Sequence, residues 1–91
     1  MRIRINKTDI IEAKSVFVES GGRPNEMKCW IYMIYGDGEY ESVEGEFDCS
    51  GVTTFEECEA KAIPFIDELY ENGYIDISSE KKCKKYGLTI L

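Results

Sequence analysis

The sequence predicts an α+β fold, a small antiparallel β-sheet with one principal α-helix packed on it, and three observations carry that expectation. Residues 27–35 are rich in aromatic and β-branched side chains, and after Gly36-Asp37-Gly38 an alternating run covers residues 39–48, so the two read as a hairpin. Thr54-Phe55-Glu56-Glu57 has the form of a helix capping box, with acids in the first turn where the helix dipole favours them. The chain has 91 residues, enough for one modest core and too few for two, so residues 1–91 read as a single domain.

In chain order, residues 13–19 suit a strand, joined to the hairpin through the turn cluster Ser20-Gly21-Gly22-Arg23-Pro24-Asn25. Ile10, Ile11, Lys14, Phe17 and Val18 also have helical spacing, and Asp9-x-x-Glu12 mimics a capping box, so one turn of helix over residues 9–13 competes. The hairpin register decides which side chains share a face. A three-residue loop with Gly38 left-handed at its end sets Tyr35 opposite Glu39. It groups Cys29, Ile31, Met33, Val43, Phe47 and Cys49 on one face. Trp30, Tyr32, Ile34, Tyr40, Ser42, Glu44, Glu46 and Asp48 then take the other. A four-residue loop would pair Tyr35 with Tyr40 and gather Trp30, Tyr32, Val43 and Phe47 instead; the first register is preferred.

Downstream, Phe55, Cys58, Ala62, Phe65, Ile66, Leu69 and Tyr70 form an apolar helical stripe that Asn72-Gly73 stops. Pro64 has no N–H for the carbonyl of Ala60, which predicts a bend near Ala62. Residues 74–77 suit a short strand, residues 78–86 a turn or short helix ended by Gly87, and residues 88–91 a last strand segment.

Charge is unevenly spread. Residues 37–71 hold twelve acids against Lys61 alone, a net of −11, while residues 1–36 and 72–91 each carry +2 and the whole chain −7. With a pI near 4.6 the composition argues against direct binding to nucleic acid or an anionic membrane, and a charged partner would be basic. No apolar run approaches the ~18 residues of a membrane span, and no signal-type stretch follows Met1-Arg2-Ile3-Arg4, so the expected location is the cytoplasm.

Nothing in the chain is a catalytic signature. Histidine, the commonest general base and zinc ligand, is absent. A loose echo of ribonuclease H, from the hairpin through Thr53-Thr54 and Glu57 or Glu59 to Asp76 and Glu80, fails. Its first strand lacks the metal-binding Asp, Ser79-Glu80 stands for Asp-Ser, and the chain is too short for the remaining strands. Glycines lie in turns with no phosphate-cradling pattern.

The four cysteines, Cys29, Cys49, Cys58 and Cys83, are spaced by 20, 9 and 25 residues and form no C-x-x-C knuckle. Free thiols are the default in a reducing compartment. The competing expectation is a structural zinc site made by all four, since Cys29, Cys49 and Cys58 should share the core face. The lysines around Cys83 would favour its thiolate and offset the charge of a tetrathiolate centre.

The preferred register leaves an outer face that interleaves Trp30, Tyr32 and Tyr40 with Glu44, Glu46 and Asp48, acids recurring every 6.6–6.8 Å along one strand. Such a face suits a groove lined by Arg and Lys. In length, acidity and build the chain resembles the small phage-encoded inhibitors of nucleic-acid enzymes, anti-CRISPR proteins among them. The resemblance rests on the overall build and the acidic segment 37–71, with no specific motif. It implies a non-enzymatic DNA mimic that blocks the DNA-binding or PAM-reading cleft of a Cas9-type nuclease. The alternative is a structural or regulatory interaction domain, zinc-stabilised, whose acidic face only confers solubility.

Overall fold

The computed structural model describes residues 1–35 and 40–91, with the side chains of all of these except Tyr40 and Glu41. It is α+β, as the sequence predicts. The strands are β1 (Arg2–Arg4), β2 (Ile10–Gly21), β3 (Lys28–Tyr35), β4 (Tyr40–Phe47), β5 (Tyr74–Asp76) and β6 (Leu88–Ile90), and the helices α1 (Phe55–Ala60), α2 (Ile63–Asn72) and α3 (Glu80–Tyr86). The strands make one sheet in the order β5-β1-β2-β3-β4-β6, antiparallel except where β1 meets β5.

Strand β2 joins the sheet's two halves. Its first residues, Ile10–Glu12, pair with β1, and from Ala13 onward it pairs with β3. This corrects the helical turn expected over residues 9–13. Asn6 accepts from the N–H groups of Thr8 and Asp9 at 2.9 and 2.8 Å, closing the β1–β2 turn, so the chain enters Ile10 already extended. Strand β1 was not expected from the sequence. Ile3 is fully buried between β2 and β5, and this non-local pairing, more than three residues of propensity, makes Arg2–Arg4 a strand.

The hairpin follows neither sequence register along its whole length. Tyr35 pairs with Tyr40 and Tyr32 with Val43, as a four-residue loop requires, but Ile31 pairs with Gly45 and Cys29 with Phe47. Glu44 is the extra residue of a β-bulge, and the bulge restores the alternation below it. Cys29, Ile31, Met33, Phe47 and Cys49 therefore reach the core as the preferred register demanded, whereas Val43 crosses to the outer face and stands 37% exposed. The left-handed conformation expected at Gly38 lies outside the described residues.

Thr54 caps α1, its hydroxyl accepting from the Glu57 N–H at 3.1 Å. Lys61 and Ala62 bond back three residues, to Cys58 and Glu59, and α2 starts anew with Pro64 in its first turn. The bend at Ala62 is thus where Pro64 required it. Gly73 ends α2 at φ 67° and Gly87 ends α3 at φ 65°, both left-handed. The expected stripe is buried at Cys58, Ala62, Phe65 and Leu69, with Ile66 partly buried against the same core. Phe55 and Tyr70, at its two ends, stay 45% and 53% exposed.

All three helices lie on one face of the sheet. Phe65 meets Phe47 and Tyr86 edge-on, ring centroids 5.9 and 5.7 Å apart, at the centre of a core that also buries Ile3, Ile31, Met33 and Ile77. The opposite face carries no helix among the described residues.

Candidate docking face

The uncovered face is built in rows across β2, β3 and β4, because partners in register share a face. Glu19, Trp30 and Glu46 form one row, and Phe17, Tyr32 and Val43 the next. The Phe17 and Tyr32 rings stack with centroids 5.1 Å apart. Trp30 lies over Gly21, where an added methyl would come within 3.0 Å of the indole. The indole thus reaches across β2, in a row whose two flanking positions are Glu19 and Glu46. Neighbouring strands are about 4.8 Å apart, so the two carboxylate-bearing positions stand about 10 Å apart across the tryptophan. Lys28 approaches Glu46 at 3.9 Å, an exposed pair that costs a basic partner little to displace.

Of the residues expected on this face, Trp30, Tyr32 and Glu46 are there. Tyr40 pairs with Tyr35 in the backbone, and its side chain lies outside the described set. Glu44 is turned away by the bulge. Its carboxylate accepts the hydroxyl of Ser42, and Ser42 pairs with core-facing Met33, so both belong to the helix side of the sheet. The even ladder Glu44, Glu46, Asp48 is broken accordingly. Asp48 stands just past the end of β4, exposed, where it accepts from the hydroxyl and N–H of Ser50 at 2.6 and 3.0 Å. Those two bonds, with Lys61 adding a smaller contribution, hold its carboxyl below the usual range. Glu19 and Phe17 were not singled out from sequence. The alternation Phe17-Val18-Glu19 was the available signal, but the pairing across the Ser20–Asn25 turn was needed to set it beside Trp30.

The cysteines divide. Cys49 and Cys58 form a disulfide, Cα atoms 5.5 Å apart, in place of the free thiols expected. Cys29 is fully buried, and burial together with the nearby Glu59 pushes its thiol up to about 11. Cys83 turns from its flanking lysines toward the carbonyl of Ile77, to which its thiol donates at 3.2 Å. Burial, with Glu80, raises this thiol as well, opposite to the thiolate expected from the lysines. Among the described residues no group of three or more Cys, Asp or Glu side chains is arranged to hold a metal ion. No helix among them is long and apolar enough to cross a membrane.

The acids make few internal ion pairs. Among the described residues three salt bridges occur, engaging Glu12, Glu46 and Glu68, and no charged residue is buried as a whole. Most of the described acids of the 37–71 segment are therefore left to solvent without a cation beside them. No protein-family model matches the chain, and neither a curated protein nor a solved structure is significantly similar to it.

Proposed function

We propose that this protein is a non-enzymatic inhibitor of a nucleic-acid enzyme, working in the cytoplasm of the cell that holds its target. On this reading the sheet face around Trp30 occupies a basic cleft that otherwise receives DNA, in the manner of phage-encoded anti-CRISPR proteins against a Cas9-type nuclease. The observation that supports it most is the row Glu19, Trp30, Glu46. A flat aromatic ring between two carboxylates offers an Arg- and Lys-lined groove both a stacking surface and charge, on a rigid sheet that orders little on binding. The uncovered aromatic row beside it adds apolar area of the kind that anchors interfaces.

The test is complex formation and DNA cleavage with a guide-loaded Cas9-type nuclease. The parent is expected to bind and to block DNA loading, with binding weakened by salt and by excess duplex DNA. The double variant Glu19→Lys, Glu46→Lys is expected to lose both while keeping its circular dichroism spectrum, because exposed charges contribute little to folding. Inhibition undiminished in the double variant, or no binding by the parent, overturns the proposal.

A further inference from the structure

Away from that face, the sheet has an open edge. Strand β1 covers β2 only over Ile10–Glu12, so from Lys14 to Gly21 the side of β2 facing away from β3 has no strand neighbour among the described residues. The carbonyl of Val16 on this edge is taken by the Tyr70 hydroxyl at 3.3 Å. A residue in an antiparallel strand sends its N–H and C=O to the same side, so Val16, Val18 and Ser20 all direct backbone groups outward. Beside them, at the bend between α1 and α2, runs a groove of about 400 Å³ with Val18, Ile63 and Ile66 among its lining and Glu56, Glu59 and Asp67 around it. Ile63 is 54% exposed. No cation among the described residues lies within salt-bridge distance of these three acids.

We propose that this edge is a second docking site, one that takes an extended Lys- or Arg-bearing segment of a partner protein as an added β-strand. The backbone of Val18 and Ser20 supplies the ladder; side chains two apart on the segment share the helix side, so an apolar one enters the groove against Ile63 and Ile66 while cations two residues before and after it meet Glu56, Glu59 and Asp67. Charge decides the occupant. A second copy of this chain carries −7 and the same three acids, so edge-to-edge pairing with itself sets like charges together. A basic segment gains from the acids that repel the copy.

The probe is a soluble peptide Thr-Lys-Thr-Val-Thr-Lys-Thr, which sets its two cations and its valine on one face, with the same peptide carrying Glu in place of Lys as its control, followed by amide exchange and chemical shifts of the full chain. The Lys peptide is expected to slow exchange at the Val18 and Ser20 amides and to shift the Ile63 and Ile66 methyl groups, and the Glu peptide to do neither. The variant Glu56→Lys, Asp67→Lys should lower the affinity about tenfold or more, and Ile63→Ser, at an exposed position, should weaken it with the fold intact. Glu46→Lys, on β4 two strands from this edge, should bind the peptide about as the parent does, which separates this site from the Trp30 face. Protection that fails to appear, peptide shifts centred on Trp30 or α3, undiminished binding by the Glu56, Asp67 variant, or a β2-edge dimer of the free chain overturns the assignment.

Discussion

A methyl group placed on Gly45 would lie 2.7 Å from Cδ1 of Leu88, 3.1 Å from Cγ2 of Ile31 and 3.2 Å from the carbonyl of Thr89. The bulge at Glu44 and the close packing of β6 on β4 thus meet at one position, where the backbone must pass without a side chain. In most strands replacing glycine with alanine helps, by reducing the freedom of the unfolded chain by about 0.4–1 kcal/mol. Here overpacking outweighs it. Gly45→Ala is expected to destabilise by about 1–3 kcal/mol in a denaturant titration. Leu88→Ala, costly in itself because Leu88 is buried, should cost less in the Gly45→Ala chain than in the parent, since it removes the nearest clash. Full additivity of the two changes would show that Leu88 is not what excludes the methyl.

Tyr86 gives the opposite sign for a large buried side chain. It is 6% exposed, its ring packs edge-on against Phe65, and its hydroxyl has no hydrogen-bond partner among the described residues. A buried hydroxyl left unpaired costs about 1–3 kcal/mol, so Tyr86→Phe is expected to be neutral or stabilising. Phe65→Ala, which empties the centre of the same cluster, should cost about 3–5 kcal/mol. A marked loss of stability in Tyr86→Phe would reveal a partner for the hydroxyl.

The contrast between Gly45 and Trp30 shows how far the sequence could be read. The helix from Thr54 to Gly73, its bend at Pro64, the short α3 and the two final strands are written in local signals: a capping residue, a proline, glycines at left-handed ends. The hairpin was legible as an element and not as a register. A lone glycine inside a strand pattern is a bulge signal, and Gly45 is that signal, but which of two facing registers it joins depends on Leu88, 43 residues later. The candidate face was legible in half of its members for the same reason. Trp30, Tyr32 and Glu46 lie on the hairpin itself, whereas Glu19 enters by pairing across a turn, and Glu44 leaves by the bulge.

The cysteines can be counted. Thiol titration in denaturant is expected to find two reactive groups, Cys29 and Cys83, and four after reduction. One zinc ion held by all four thiolates would instead give four thiols without reduction and one metal per chain. Closing a loop of this length is worth about 2–3 kcal/mol on the chain-entropy account, so reduction should lower the melting temperature.

Cys29 adds a pH dependence of known sign. Its thiol is raised from 9.0 to about 11 in the folded protein, by burial first and Glu59 second. Between these values the unfolded chain has lost a proton that the folded chain keeps. The stability linked to this group is therefore complete below pH 9 and lost as the pH rises toward about 11. The variant Cys29→Ala, whatever its cost at neutral pH, is expected to lose this alkaline limb. An identical alkaline slope in parent and variant would assign the limb to other groups.

The bulge also makes the proposed docking face separable into parts. Glu46 flanks Trp30, whereas Glu44 is bonded to Ser42 on the helix side, so charge reversal at the two positions should not be equivalent although they are two residues apart. Glu46→Lys is expected to slow association with the basic partner and to flatten its salt dependence, as loss of a favourable interface charge does. Glu44→Lys should change both far less. Trp30→Ala should keep the fold, because the indole stands half-buried on the uncovered face and its loss should cost less than about 2 kcal/mol, under the value for a fully buried side chain. The same variant should weaken binding by about 2 kcal/mol or more if the indole is the anchor of the interface, a roughly thirtyfold rise in Kd. Surface association kinetics at two salt concentrations, with circular dichroism on each variant, measure all three. Equal effects from Glu44→Lys and Glu46→Lys would mean that the partner responds to net charge and not to the Glu19, Trp30, Glu46 row.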